Sequence, residues 1–287
     1  MENNRPNILI TGGSGFLGSR IVEELLRKDS VLVPGKIIVF DLKAYPGTSD
    51  DRLEFIQEDI RNYTALEKAG SAIDIVIHCA ALIDWGTRSK DEVLSVNVDG
   101  TKNIIKLCKQ YGISNLVFTS SLDAVFSGEA LVDITEDQPY PNSYHTVYCE
   151  SKVLGEQAVL QAHSPELKTC ILRPSDIYGE ADPYHMDALI DMAKSGFYVR
   201  LGNGTSKCQH VYVGNMAHAH VLAAHALWTK NKRVEKQIYF ITDGEGINFF
   251  HFFDQIVSGA GYRIFPKNLG LPYALAYTMG AVSELLA

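Results

Sequence analysis

Asn7 to Arg20 reads NILITGGSGFLGSR. The apolar run Ile8-Leu9-Ile10 leads into Gly12, Gly15 and Gly18, and Phe16, Leu17, Ile21, Val22, Leu25 and Leu26 then fall on one face of a helix. A strand, a glycine turn and a helix in that order open a dinucleotide-binding unit. Gly12 permits the sharp turn, Gly15 lets backbone approach a pyrophosphate, and Gly18 lets the helix lie close to the strand. The helix N-terminus adds unpaired N–H groups and a partial positive charge, both suited to phosphate. The next apolar run, Lys36 to Phe40, ends in Asp41, 23 residues beyond Gly18. Alone, Asp41 is equally well read as a turn residue. With the glycines before it, the carboxylate is placed to bond the adenosine ribose hydroxyls.

Working outward, short apolar runs alternate with helical patterns. Strands are expected at Leu53–Asp59, Asp74–Cys79, Asn115–Ser121 and Leu167–Arg173, with helices at Thr64–Ser71, Asp91–Tyr111 and Thr146–Ala162. This alternation calls for an α/β protein: a doubly wound, mainly parallel Rossmann sheet with a small C-terminal substrate lobe. The clusters after the strands, Ala80-Ala81, Ser120-Ser121 and Arg173-Pro174-Ser175, are expected on the same edge as the glycine turn. Beyond Gly179 the pattern loosens. Pro183–Gly196 reads as a helix, Leu201–Cys208 as a loop, Val211–Trp228 as a strand passing into a helix, and Gln237–Thr242 as a strand. Phe249–Val257 and Pro272–Leu286 read as helices. The expected division is 1–180 with 209–245 for the Rossmann domain and 181–208 with 246–287 for the substrate lobe.

A chain of 287 residues with 46% hydrophobic and 21% charged residues can bury a large core, so disorder is excluded. The net charge of −8 and the lack of any basic tract exclude a nucleic-acid partner. The five cysteines are scattered without a CxxC pair, which suits reduced thiols in a cytoplasmic compartment. The start lacks signal-peptide architecture. Asn268–Ser283 carries no charge and is shorter than a bilayer span. It reads equally as a buried helix, or as a helix seated on a membrane surface or the beginning of a longer apolar segment. Location is therefore expected to be cytoplasmic, or peripheral on the cytoplasmic face of a membrane.

Tyr148 and Lys152 lie four apart, so on a helix their side chains can meet. A neighbouring ammonium favours the phenolate and suits the tyrosine to proton transfer near neutrality. With 14 tyrosines in the chain, chance alone supplies about one such pair. Position is what singles this one out: it follows the Asn115–Ser121 strand, whose terminal Ser120-Ser121 offers a hydroxyl to a substrate oxygen. His218, His220 and His225 have no carboxylate or cysteine nearby to complete a ligand set, so no metal site is expected. Asp84-Trp85 reads equally as crevice lining or as a surface loop. Phe249, Phe250, Phe252 and Phe253 read as core.

Thr11–Gly18 (TGGSGFLG), Asp59-Ile60, His78–Ala81 (HCAA), Asn97–Thr101 (NVDGT), Thr119–Ser121 (TSS), Tyr148–Lys152 (YCESK) and Arg173–Gly179 (RPSDIYG) occur in that order. Together they resemble the extended short-chain dehydrogenase/reductases. Glu136–Tyr140, Val211–Asn215 and Leu271–Tyr277 extend the likeness to the 3β-hydroxysteroid dehydrogenase family, including its sterol-4-carboxylate decarboxylating members. The resemblance implies Tyr148 as the acid/base, with Lys152 bonding the nicotinamide ribose. It implies Ser121 as the catalytic serine, with Ser120 as the fallback. Gly12, Gly15, Phe16, Leu17, Gly18, Asp41, Asp59, Ile60, Ala80, Ala81, Tyr148, Lys152, Pro174 and Ser175 match cofactor-contact positions. Asn97 matches an asparagine that ties its helix to the active-site strand. Asp41 implies NAD rather than NADP, because its carboxylate repels a 2′-phosphate; Lys43 softens that preference. The expected substrate is an apolar small molecule, most of all a 3β-hydroxysteroid or sterol. Membrane contact through the C-terminal segment and a homodimer are further expectations, as is a natural chain continuing past Ala287. Nucleotide-sugar epimerisation or dehydration, reduction of a long-chain β-keto acid, and a non-enzymatic dinucleotide sensor stay open as alternatives.

Overall fold

Ile8, Leu9 and Ile10 are wholly buried, and so are Ile37, Ile75, Val76, Ile77, Leu116 and Val117. Continuous apolar runs of this kind form strands buried on both faces, and parallel strands joined by helical crossovers bury them that way. The computed structural model describes residues 5–84, 86–184, 186–196, 198–264, 270–275, 277 and 278. In chain order the elements are β1 (Ile8–Thr11), α1 (Phe16–Leu26), β2 (Ile37–Asp41), β3 (Leu53–Gln57), α2 (Tyr63–Gly70), β4 (Ile75–His78) and α3 (Lys90–Leu94). A π-helical turn (Ser95–Asp99) leads into α4 (Gly100–Tyr111), β5 (Asn115–Thr119), a 3₁₀ turn (Leu122–Val125), α5 (Val147–Ala162) and β6 (Lys168–Pro174). Then come β7 (Asp176–Tyr178), α6 (Met186–Ser195), β8 (Arg200–Leu201), β9 (Lys207–Cys208), β10 (His210–Tyr212) and α7 (Val213–Trp228). The described part closes with β11 (Gln237–Ile241), β12 (Ile247–Asn248), α8 (Phe249–Gly259) and β13 (Gly270–Leu271).

Two compact units are present: Met1–Ser175 with Val213–Ile241, and Asp176–Tyr212 with Thr242–Ala287. The sequence pattern places the division at 180, 209 and 245; the fold divides the chain at Ser175, Tyr212 and Ile241.

The first unit holds a seven-stranded sheet in the order β11-β6-β5-β4-β1-β2-β3, parallel throughout. Strand order reverses between β1 and β4, so a crevice opens there beyond the C-terminal strand ends. Leu9, Ile38, Phe40, Val76, Leu116 and Ile171 pack with residues of α2, α4 and α5 on one face. The alternating residues, Ile8 and Ile10 among them, point to the other face, where α1 packs against α7. Helices thus cover both faces, as the alternation of the sequence requires.

Differences from the expected elements are local. The helix expected over Asp91–Tyr111 is interrupted by the π turn at Ser95–Asp99; such single-turn bulges often accompany functional residues, and this one carries Asn97. The loop expected at Leu201–Cys208 is bounded by two-residue strands, β8 and β9. Their pairing partners, β13 and β12, come from distant sequence, so no local pattern announces them. In the second unit Leu189, Tyr198, Phe253 and Val257 form a core cluster. Phe250 is also buried, so that part of the aromatic run is core, while Phe249 stays exposed. Trp85 and most of the C-terminal helix expected over Pro272–Leu286 lie outside the described residues. Of that stretch, Tyr273, Leu275 and Tyr277 are exposed. No helix among the described residues is long and apolar enough to cross a membrane.

Candidate active site

The glycine turn is built from close backbone contacts. Gly12 has φ +70°, and a Cβ there would stand 2.7 Å from the backbone nitrogen of Ala80. At Gly18 a Cβ would stand 2.1 Å from the Gly12 carbonyl oxygen. The first contact brings the end of β1 against the end of β4; the second seats the start of α1 on the turn. Both obstacles are backbone, which cannot swing aside. Gly18→Ala is therefore expected to lower dinucleotide affinity at least about tenfold by shifting α1. Calorimetric titration with NAD checks it, and unchanged affinity would refute the packing argument.

At the end of β2, Asp41 accepts the Ser14 N–H (3.0 Å) on one carboxylate oxygen and the Lys43 N–H (2.9 Å) on the other. The acidic residue is thereby fixed against the glycine turn. The Ser14 Oγ, buried in that turn, has no hydrogen-bond partner among the described residues. Two more hydroxyls at the strand ends share this condition, those of Ser120 and Ser175. Buried hydroxyls cost free energy when unbonded, so three along one sheet edge fit a polar ligand lying across it. With the glycine cradle and the fixed carboxylate, the donor and acceptor set suits a dinucleotide.

Phe16 and Leu17 form the first turn of α1 and are half-buried, as are Ala80 and Ala81 beyond β4. The Ala80 N–H donates to Thr11 Oγ1 at 3.4 Å. Pro174 ends β6, and the Ser175 N–H bonds Ile241 O at 3.0 Å. The Asp59 carboxylate pairs with Arg61 at 2.6 Å, which holds it below the usual carboxylate range. Ile60 is buried in the α2/α4 core and fills the space beside Gly100.

Tyr148 and Lys152 both lie on α5, which starts at Val147 because the Thr146 hydroxyl accepts the Cys149 N–H at 3.1 Å. Lys152 is only 4% exposed. Its Nζ lies 5.4 Å from the Tyr148 ring centroid and donates to the Thr119 carbonyl at 3.0 Å. Burial pulls the Lys152 ammonium down to about 8, because a low-dielectric setting disfavours the charged form. Ser121 donates to Asp123 Oδ2 (2.9 Å) and accepts the Asp123 N–H (3.1 Å), capping the 3₁₀ turn. Both serines of the TSS run are buried; Ser121 is engaged by Asp123, while the Ser120 hydroxyl has no partner among the described residues.

Beneath this pair runs a polar network that sequence reading did not find. The Thr101 hydroxyl donates to Asn97 O at 2.6 Å, so it receives the His78 Nε2–H at 2.9 Å. His78 Nδ1 then accepts the Thr11 hydroxyl at 2.7 Å. Burial holds His78 down to about 3, so this neutral tautomer persists at ordinary pH. The Asn97 side chain accepts from Leu82 N (2.7 Å) and donates to Leu82 O (2.9 Å) and Ser151 Oγ (2.9 Å). Ser151 donates on to Tyr148 O at 2.7 Å. Asn97 therefore ties the π turn to the loop after β4 and to α5, whereas the expected tie was to the active-site strand. The residues were visible in the HCAA and NVDGT runs; their partners were not, being brought together only by the crossover.

Of the three histidines of α7, His218 bonds Glu24 at 2.8 Å and His220 bonds Thr119 at 2.7 Å. In the second unit, Asp176, Cys208 and His210 bring ligand-type atoms within 4.8 Å of one another. The His210 ring is stacked on Phe252 there, with centroids 3.9 Å apart. Asp84 is buried, its carboxylate accepting the N–H groups of Gly86, Thr87 and Arg88. It shares a cavity with Arg88, Lys90, Tyr144, Thr146 and Glu150 at the start of α5.

Comparison with known proteins agrees with this geometry. The model of the 3-beta hydroxysteroid dehydrogenase/isomerase family matches residues 9–271. The chain belongs to that family. Within the extended short-chain dehydrogenase/reductases it is an oxidoreductase by membership. It is 35% identical over 301 residues to short-chain dehydrogenase/reductase family 42E member 1 of Danio rerio, covering 100% of this chain and 76% of the relative. It is 34% identical over 280 residues to the decarboxylating sterol-4-alpha-carboxylate 3-dehydrogenase of Mus musculus, covering 96% and 74%. Among solved structures, a dTDP-glucose 4,6-dehydratase from Streptomyces venezuelae superposes with a TM-score of 0.77 at 23% identity, over 90% of this chain and 82% of the other. That last likeness is one of fold.

Proposed function

We propose that this protein is an NAD-dependent dehydrogenase that interconverts a secondary alcohol and a ketone on an apolar substrate, a 3β-hydroxysteroid or sterol. The observation that carries the reading is the Tyr148–Lys152 pair on buried α5, with the Lys152 ammonium bonded to the end of β5. Bound NAD supplies the hydride acceptor. The chain's own residues handle the proton. The Tyr148 oxygen takes it from the substrate hydroxyl in oxidation and returns it in reduction. The Lys152 ammonium favours the phenolate form of Tyr148. A serine hydroxyl of Ser120-Ser121 steadies the substrate oxygen, with Ser121 the residue carried by the family likeness.

NAD rather than NADP is proposed because the Asp41 carboxylate is held against the turn by the Ser14 and Lys43 N–H groups. A 2′-phosphate placed beside it meets like charge. Asp41→Ala is expected to raise the NADP-to-NAD ratio of kcat/KM by about tenfold or more, measured with either cofactor at fixed salt. An unchanged ratio would remove Asp41 from cofactor choice.

The substrate test is NADH formation with 3β-hydroxysteroids, 4-carboxysterols and long-chain β-hydroxy acids, beside UDP-sugars. Turnover of a sterol with exchange of free NAD supports the reading. Conversion of a UDP-sugar without such exchange would replace it with epimerase or dehydratase chemistry.

A further inference from the structure

We propose that His220 is a positioning residue for the Lys152 ammonium, acting across the sheet through Thr119. His220 belongs to α7, in the layer with α1; Lys152 belongs to α5, in the layer with α2 and α4. The two meet at one residue, Thr119, at the end of β5. The Thr119 backbone carbonyl accepts the Lys152 Nζ–H at 3.0 Å, and its hydroxyl lies 2.7 Å from His220 Nε2.

The direction of each bond follows from the partners. Met216 O, 2.8 Å from His220 Nδ1, can only accept, so Nδ1 carries the proton. His220 is fully buried, and burial holds it neutral down to about 4. Nε2 is then an acceptor, and the Thr119 hydroxyl donates to it. The Cys79 sulfur stands 3.1 Å from the same hydroxyl oxygen. Thr119 is thus clamped on its side chain from two elements, α7 and the end of β4. The clamp restrains the Thr119 backbone from the side-chain end, while the Ser120 N–H of the same peptide bonds Leu172 O at 2.8 Å, and the carbonyl so held is the acceptor the structure gives Lys152. Without the clamp, the hydroxyl is free to turn and the Leu172 bond alone is left to hold the terminal peptide of β5.

A positioned acceptor favours the charged form of an amine, and losing it lowers the amine's pKa. The charged and titratable groups around Lys152 are Tyr148 and Glu156 on α5, Cys79 and His78 at the end of β4, and Asp123 in the 3₁₀ turn. None of these is altered by replacing His220, so a change in the Lys152 titration reports the clamp.

The effect on turnover rests on the dehydrogenase reading above; the position of Lys152 does not. The primary readout is accordingly the Nζ resonance of Lys152 in ¹⁵N-lysine-labelled protein, assigned by its loss in Lys152→Met and titrated with pH. His220→Leu removes the acceptor, and Thr119→Val removes the donor at nearly constant shape. Each is expected to lower the Lys152 midpoint by about half a pH unit or more. The double variant should shift no further than either alone, since both cut the same link. His220→Gln, which returns an acceptor oxygen near the place of Nε2, is expected to restore the midpoint. With a sterol substrate in hand, the alkaline limb of kcat should move down by the same interval. If His220→Leu fails to fold, Thr119→Val carries the test. Midpoints within about 0.2 of the unaltered protein in folded variants would overturn the proposal, as would a shift in His220→Leu that Thr119→Val lacks or that His220→Gln does not reverse. A sterol screen without turnover, alongside shifted midpoints, would overturn the substrate reading and leave the clamp standing.

Discussion

Tyr148→Phe is expected to lower turnover by about 10²- to 10⁴-fold while leaving the fold and NAD affinity within about twofold of the starting protein. The replacement removes one oxygen and keeps the ring. Tyr148 is 9% exposed, so its ring is part of the packing around α5, and phenylalanine preserves that packing. What is lost is the atom that holds the substrate proton. The Lys152 ammonium, 5.4 Å from the ring centroid, then has no phenolate to stabilise. The measurement is single-turnover NADH formation at saturating NAD, with thermal unfolding as the control for fold. Retained turnover would refute the assignment and favour a binding-only role. The pH dependence has a definite sign. Burial sets Lys152 at about 8, so its charge, and its support of the phenolate, is present below that value and lost as pH rises through it. For stability the direction is reversed. The native state carries the cost of a buried ammonium below about pH 8, and that cost fades between about 8 and the ordinary lysine value of 10.5, where only the unfolded chain still binds the proton.

The fold was legible because its main signals are local. A run such as Ile8-Leu9-Ile10 before Gly12 states strand, burial and turn within a few residues, and Asp41 closes the unit one strand later. Tyr148 and Lys152 were legible for the same reason, being one helical turn apart. Elements set by distant partners were not. β9 is two residues long and exists only because β12, some forty residues away in the chain, pairs with it. The polar links beneath the site are of this second kind: His78 to Thr101, Asn97 to Ser151, and Thr119 to His220 across a separation of 101 residues. His220 shows the difference most plainly. In sequence it is one of three histidines on a mostly apolar helix, and nothing in the spacing says which of them turns inward. In the fold it is fully buried, whereas His218, two residues earlier, reaches Glu24 at the surface.

The same contrast governs the largest stability effect expected. Glu156 lies one turn beyond Lys152 on α5, and nothing around it in sequence marks it as special. In the fold it is wholly buried and forms a bidentate pair with Arg173 of β6, Nε to Oε1 at 2.8 Å and Nη2 to Oε2 at 2.7 Å. The Tyr140 hydroxyl donates to the same carboxylate at 2.8 Å. The guanidinium is 1% exposed and packs near the Tyr140 and Phe240 rings. Glu156→Gln leaves that charge buried without its counter-ion, and is expected to cost about 3–5 kcal/mol in equilibrium urea unfolding. The figure reflects an uncompensated buried charge, not the intrinsic worth of the pair. Replacing both partners with apolar residues of similar volume, Glu156→Leu with Arg173→Met, should therefore recover most of the loss. A single-variant loss below about 1 kcal/mol would mean that water reaches the pair as it reaches surface pairs. The pair joins α5 to β6. Loss of the Glu156 charge in the double variant is expected to move the Lys152 titration further down, since that carboxylate raises it directly. A loss of kcat in the stably folded double variant, beyond what the shifted titration explains at the assay pH, would show that the pair also holds the catalytic helix in register.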